Sequence, residues 1–461
     1  MKQIFKIIWQ AIRGEEKSYT TGSINRAIVL LSIPMILEMI MEAFFAVVDV
    51  FFVSRISVNA VATVGLTESV ITLVYSIAIG LSMATTAMVS RRVGEHDEDK
   101  AAEAAVQSII IAVCFSILIS VLGFIFARDI LSLMGGSAAL IDEGIWYTRI
   151  IFAGNIVIML LFLLNAIFRG AGDAAIAMQA LWIANLLNIV LDPCLIFGWG
   201  PFPELGVAGA AVATNVGRGI GVLFQLYMLL KGNLIVRIAV KHLRVNWKVI
   251  RSLIRVSLGG MGQYVIASAS WIFLMRIMAE FGEVAVAGYT ISIRMLIFAL
   301  LPAWGMANAA ATLVGQNLGA KQPERAEISV WRSAFFTMLF LFFVSLLYFF
   351  FAQPMVQFFH SDPEVVKYGV SSLKIICLGY VFFAYGMVIS QAFNGAGDTN
   401  TPTWLNFICF WLLQIPLAYL MGITLHLGPN GVFWAVAISE SVLAVLCILM
   451  FRRGKWKLVE I

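Results

Sequence analysis

Long apolar runs, broken at short intervals by charged and turn-forming residues, fill nearly the whole chain of 461 residues. A helix needs roughly 20 apolar residues to cross the hydrocarbon core of a bilayer. Twelve runs reach that length, near 27–53, 60–90, 101–127, 138–168, 174–198, 205–231, 251–279, 285–318, 324–352, 363–394, 400–424 and 430–452. Several exceed the minimum, which predicts tilt or extension beyond the bilayer. The expected fold is an all-α polytopic membrane protein of twelve spans.

The interruptions carry the orientation. Lys and Arg concentrate in alternate connectors, at 1–26, 91–100, 169–173, 231–255, 319–332 and 452–461. The connector after the sixth span is the richest, with Lys231, Arg237, Lys241, Arg244, Lys248, Arg251 and Arg255. The opposite loops hold few basic residues: Arg55, Arg128, Arg149, Lys367 and Lys374. Basic residues are retained on the cytoplasmic side, so both termini are expected there. At the N-terminus Lys6, Gln10 and Arg13 alternate with Phe5, Ile8, Trp9 and Ile12. That is no cleavable signal. It suits either an amphipathic helix on the membrane surface or a poorly ordered tail.

Composition narrows the function classes. Hydrophobic residues make up 61% and charged residues 12%, where a soluble domain carries about 25% charged residues. The basic clusters flank apolar spans, so topology and lipid headgroups explain them better than nucleic acid does. The lipid bilayer is therefore the expected partner. Five cysteines (Cys114, Cys194, Cys377, Cys409, Cys447) and four histidines form no CxxC and no ligand spacing, so neither a disulfide frame nor a metal centre is expected. No HExxH, GxSxG or Walker motif supports an enzyme, and no cofactor is implied.

Shifting the chain by 225 residues reveals an internal repeat. Phe168-Arg169-Gly170-Ala171-Gly172-Asp173 falls on Phe393-Asn394-Gly395-Ala396-Gly397-Asp398. Gly206-Val207 falls on Gly431-Val432, Gly80 on Gly305, Gly94 on Gly319, Arg26 on Arg251 and Ser32 on Ser257. Each half holds six spans, an even number, so both insert the same way and form two six-helix bundles related by a pseudo-two-fold axis along the membrane normal. Such bundles can rock about a central site. The divisions expected are a cytoplasmic segment 1–26, a first lobe 27–231, a connector 232–250, a second lobe 251–452 and a cytoplasmic tail 453–461.

Acidic residues inside the spans are the candidate chemistry, because each costs roughly 2.5–3.5 kcal/mol at the bilayer centre. Glu38, Glu42 and Asp49 lie on the first span at about 0°, 40° and 20° around the helix, one narrow face. Pro34, one turn before Glu38, is expected to bend the span. Asn185, Asn188 and Asp192 share a face of the fifth span, and Pro193 directly after them suggests a helix break at Asp192. Thr214 on the sixth span offers another oxygen, and Glu68 is a further acid. Two carboxylates in an apolar cavity can share a proton. Asp49, Asn188, Asp192 and Thr214 can equally hold a small hard cation such as sodium. The alternative is structural: Asp192 caps a helix near the surface and Glu38 lines a wet vestibule. At the repeat offset Asp49 meets Leu274, Asp192 meets Leu417 and Glu38 meets Gln263, so ion chemistry is expected in the first lobe. Gln263 and Tyr264, polar groups on a spanning helix, are candidates for a substrate cavity. Arg294 and Arg276 lie within second-half spans and are expected chiefly to pair or snorkel, with Arg294 a further candidate for the substrate cavity.

These features together resemble the multidrug and toxic compound extrusion (MATE) family. The resemblance is carried by LSIPMIL at 31–37, VVDVFFVSRIS at 47–57, RRVGEHDEDKA at 91–101, FRGAGD at 168–173, LNIVLDP at 187–193, GVAGAAVAT at 206–214, LVGQNLGA at 313–320 and FNGAGDT at 393–399. It implies two six-helix lobes in a prokaryotic plasma membrane and antiport of H+ or Na+ against organic, often cationic, compounds. Asp49, Asn188, Asp192 and Thr214 look like the first-lobe cation site of the DNA-damage-inducible branch. A glutamate that other branches carry in the seventh span falls on Ala267 here, which argues against a second-lobe cation site. Glu38 and Glu42 stand where relatives have neutral residues, and are expected to add a protonation site or attract cations. The protein is expected to work as a monomer. A lipid-linked oligosaccharide flippase, performed by related folds, is the main competing reading; a passive channel is another.

Overall fold

A computed structural model describes residues 2–14, 19–231 and 234–461. Residues 1, 15–18, 232 and 233, within the expected N-terminal segment and connector, lie outside the described residues, as do the side chains of 2–5. The first half contains α1 (Lys2–Arg13), α2 (Ile24–Val53), α3 (Val58–Gly94), α4 (Glu98–Ile125), α5 (Ala127–Leu133), α6 (Ala138–Ala153), α7 (Asn155–Ala171), α8 (Ala174–Ile196) and α9 (Val207–Lys231). The second contains α10 (Trp247–Ala279), α11 (Glu283–Gly319), α12 (Pro323–Phe359), α13 (Pro363–Cys377), α14 (Tyr380–Ala396), α15 (Asn400–Asn406), α16 (Ile415–Tyr419) and α17 (Pro429–Arg452).

Among the described residues nine helices are long and apolar enough to cross a membrane, and two bent pairs supply one span each. The three-acid helix α2, 30 residues long, completes the twelve. The side chains that stay exposed on the outer helices are apolar, among them Leu118 and Val121 on α4 and Phe343 and Phe350 on α12. A protein dissolved in lipid turns such residues outward and saves its polar groups for the interior.

The helix break expected at Asp192 fails: α8 continues past Asp192 and Pro193 to Ile196. α2 stays helical through Pro34. Pro193 removes a single backbone donor in the last turn, which the helix tolerates. The breaks fall instead in the fourth and tenth spans. α6 and α7 meet at Gly154 with a bend of 42°, and α13 and α14 meet at Gly379 with a bend of 58°. These glycines are themselves 225 apart. The eleventh span, Asn400–Thr424, adds π-helical turns at Phe407–Gln414 and Leu420–Thr424.

The repeat explains how the halves meet. Gly80 on α3 packs against Ser257 and Met261 on α10, and Gly305 on α11 packs against Met35 and Ile36 on α2. Gly94 on α3 abuts the Gln316 carbonyl, and Gly319 on α11 abuts the Arg91 carbonyl. Residue 316 is 91 shifted by 225, so these contacts are reciprocal. Gly315 meets Ser90, its own repeat counterpart. Helices α3 and α11 therefore cross at the pseudo-two-fold axis, close enough that a Cβ at either crossing glycine would strike backbone.

Hydrogen bonds complete a seal at the end of the bundle that holds both termini. Gln316 Nε2 donates to the Gly170 carbonyl at 3.1 Å, and Arg91 to the carbonyls of Ala396 at 3.3 Å and Val459 at 2.8 Å. Thr312 donates to Arg169 O, Arg92 to Ile461 O, and Arg325 to the carbonyls of Tyr19, Thr21 and Gly22. The repeated GAGD motif lies in this seal. Gly172 and Gly397 end their helices in the left-handed conformation, at φ 93° and 89°, which glycine adopts without steric cost.

Candidate functional site

Between the lobes, beyond the seal, lies a cavity of about 270 Å³. The first lobe lines it with Glu38, Glu42, Arg169 and Arg218, and the second with Trp304, Asn308, Gln391 and Asn394. The remaining walls are largely apolar, including Met39, Met83 and Phe162.

Two of the three acids of α2 are paired. Glu38 is 1% exposed and accepts from Arg169 at 3.2 Å and from Asn165 at 3.1 Å. Gln225 supports Asn165 from behind at 2.6 Å, while Glu38 Oε2 is buried without a partner. One turn along, Glu42 pairs with Arg218 at 3.1 Å. Arg218 also stands within electrostatic reach of Tyr75 and lies 5.0 Å over the Phe45 ring. Asn185 belongs to this group and not to Asp192: its amide donates to Glu42 and to the Met41 carbonyl, each at 3.4 Å.

Asp192 is fully buried on α8. With its oxygen toward Thr214, Asn188 accepts from the Thr214 N–H at 3.0 Å and hydroxyl at 3.2 Å, and donates to Asp192 Oδ2 at 3.1 Å. Asp192, Asn188 and Thr214 thus form one bonded unit across α8 and α9. Asp49 is buried and makes no direct bond to that unit. It stands within electrostatic reach of Asp192 and of Glu68 and Arg218. Glu68 is exposed on α3. No group of three or more His, Cys, Asp or Glu among the described residues is placed to hold a metal ion.

The second-lobe candidates lie elsewhere. Gln263 is buried, donating to Asn394 at 2.9 Å and to the Thr399 carbonyl at 3.1 Å. Tyr264 is half-buried on the same helix. Arg294 is exposed, and Arg276 pairs with Glu280 at 3.3 Å near the helix end. Neither Gln263, Tyr264 nor Arg294 lines the cavity.

Arg169 and Arg218 are the residues the sequence reading missed in this role. Arg169 counts there as a loop residue of the cytoplasmic set, yet it sits inside α7 with its guanidinium in the cavity. Arg218 lies twelve residues into α9, where the insertion cost alone demands a partner. That cost is the signal that finds it.

Twelve membrane-crossing helices in two repeated lobes about a central cavity define a polytopic membrane transporter, not an enzyme. The MatE family pattern matches residues 34–194 and 261–420, one stretch in each half, and the chain belongs to that family. It is 28% identical over 440 residues to a probable multidrug resistance protein NorM of Thermotoga maritima, covering 94% of this chain and 93% of that one. It is 27% identical over 441 residues to an FAD transporter of Shewanella oneidensis, covering 94% and 95%. Among solved structures it resembles an outward-facing multidrug resistance MATE family transporter of the MOP superfamily, with TM-score 0.89, 27% identity and coverage of 96% and 98%.

Proposed function

We propose that the protein is a secondary multidrug efflux transporter of a prokaryotic plasma membrane. It exchanges H+ or Na+ for amphipathic organic compounds, cations among them, by alternating access. The observation that carries this reading is the cavity between the lobes, sealed at one end by reciprocal contacts across the pseudo-two-fold axis, with Asp49 and Asp192 buried within the first lobe, outside the residues that line the cavity. With the basic connectors in the cytoplasm, the sealed end is cytoplasmic and this is the outward-facing state. In the inward-facing state the Gly94–Gln316 and Gly319–Arg91 crossings open.

Asp49, Asn188, Asp192 and Thr214 are the proposed cation site. Two carboxylates within reach of each other hold one proton or one small cation more readily than two negative charges. The test is efflux of a fluorescent organic cation from vesicles under imposed proton or sodium gradients. Asp49→Asn and Asp192→Asn should each reduce gradient-driven efflux by at least about tenfold. Undiminished efflux in both variants sinks the site. The ion whose gradient alone drives efflux in the unmodified protein is the coupling ion.

Arg169 and Arg218 in the cavity favour a second reading for the substrate, an anionic aromatic compound, for which the flavin-carrying relative is a precedent. Competition of FAD against the cationic dye separates the two. A lipid-linked oligosaccharide flippase would hold its pyrophosphate with the same arginines; it is less favoured because the relatives above are named for multidrug resistance and FAD transport.

A further inference from the structure

Glu440 is a carboxylic acid in the middle of the second lobe that none of the functions above employs. It is the twelfth of the 24 residues of α17, about 17 Å from either end of the helix at 1.5 Å per residue. It is 9% exposed. Among the described residues it makes no hydrogen bond or ion pair. Helix α17 packs on α10, α13, α14 and the eleventh span. Of the titratable groups facing it from these elements and from α17 itself, only the thiols of Cys409 and Cys447 come within electrostatic reach. The cations of α13 are engaged elsewhere, Lys367 with Glu364 and Lys374 over the Phe349 ring. A carboxylate there would have no counter-charge and little water, and such a group takes the neutral form instead.

Two departures from regular helix lie beside it. Cys409 sits in the π-helical turn Phe407–Gln414, a distortion common at functional sites. Gly379, at the 58° break between α13 and α14, lies against the α17 backbone at Ala437, one turn from Glu440. The repeat counterpart of Glu440 is Asn215. Asn215 packs against the first-lobe break at Gly154 and donates to the Ile150 carbonyl at 2.8 Å. Only the protonated acid offers a donor as that amide does.

We propose that Glu440 is a proton-binding site of the second lobe. It is a carboxylic acid in this conformation, and it releases its proton to water, leaving a carboxylate and a hydronium ion, when movement at the Gly379 break and the π-helical turns hydrates it. The site is separate from Asp49 and Asp192. Its contribution to coupling rests on the antiport reading, whereas its protonation does not.

The test uses the full chain in lipid vesicles treated with dicyclohexylcarbodiimide, which adds to protonated carboxyls in apolar surroundings, followed by mass spectrometry of the peptide containing residue 440. Labelling at neutral pH that fades as the pH is raised, and is absent in Glu440→Gln, is the expected result. An unlabelled Glu440 in vesicles, with labelling of the same residue in acid-unfolded protein, overturns the proposal. In the efflux assay Glu440→Gln should retain dye binding and lose proton-driven efflux by at least about tenfold. An unchanged rate and pH profile overturns the role in coupling. If Asp49→Asn and Asp192→Asn fail while Glu440→Gln does not, the first-lobe site stands and Glu440 has no part in coupling. If the unmodified protein shows no gradient-driven efflux, antiport falls, and the labelling still decides on Glu440.

Discussion

The two lobes make the same contact with different chemistry. In the first, Glu38 on α2 meets Arg169 on α7 as a buried ion pair. In the second, the residues 225 further on, Gln263 on α10 and Asn394 on α14, meet as an amide pair bonded in both directions at 2.9 and 3.2 Å. One turn along, Glu42, Asn185 and Arg218 correspond to Ala267, Phe410 and Leu443, which belong to one apolar cluster. Asp49 and Asp192 correspond to Leu274 and Leu417. Duplication kept the shape of the contact and let its charge diverge. The glycine crossings that join the lobes stayed reciprocal, because steric closure needs both sides alike.

The largest expected effect comes from breaking the charged version of the shared contact. Arg169→Met leaves Glu38 buried without its cation, and losing one member of a buried pair costs about 3–5 kcal/mol. The double variant Glu38→Gln, Arg169→Asn copies the second lobe's amide pair and should recover all but about 1 kcal/mol. Thermal unfolding in detergent measures both. A double variant no more stable than the single one would mean that the lobes hold this contact in different geometries. Next in size are the crossings. Gly94→Leu and Gly319→Leu each place a side chain against backbone across the axis. Each should shift the population away from the sealed state by about tenfold or more, near 1.4 kcal/mol, and the two shifts should be alike. Spin-label distances across the seal report them, and a shift in one variant alone would show that the reciprocity is only geometric.

The sequence carried the scaffold further than the chemistry. The spans are legible because lipid imposes length and apolarity on each helix alone, and the repeat because glycines and the GAGD turn stay fixed at close approaches. The breaks at Gly154 and Gly379 were illegible, since a glycine inside an apolar run does not by itself end a helix. The prolines drew attention to α2 and α8, where the helices absorb them. The acids were found by their insertion cost, but their partners were not. Arg218 is 176 residues from Glu42, and no local spacing links them. The shared face of Asn185 with Asp192 was real on the helix and misleading in space, because neighbours on one face bond to different helices. Glu440 is hidden from the repeat, because its first-lobe counterpart, Asn215, is an amide and not an acid.

The smallest expected effect asks whether the cavity reads charge at all. Glu42 is 31% exposed to the cavity, against 1% for Glu38, so losing it costs less stability than breaking the more deeply buried pair. Its weight falls on the substrate. Glu42→Gln leaves Arg218 uncompensated in the cavity wall, which should strengthen FAD binding and weaken the cationic dye, each by about fivefold, near 1 kcal/mol. Arg218→Leu should do the reverse, because it frees Glu42. The double variant Glu42→Ala, Arg218→Leu gives the first lobe the second lobe's pair and should bind both probes about equally to the unmodified protein, since it removes one charge of each sign. Fluorescence titration with the two probes checks all three. If the single variants move both probes in the same direction, the pair shapes the cavity instead of selecting its charge. The difference in charge chemistry between the lobes would then lie with buried Asp49 and Asp192 alone.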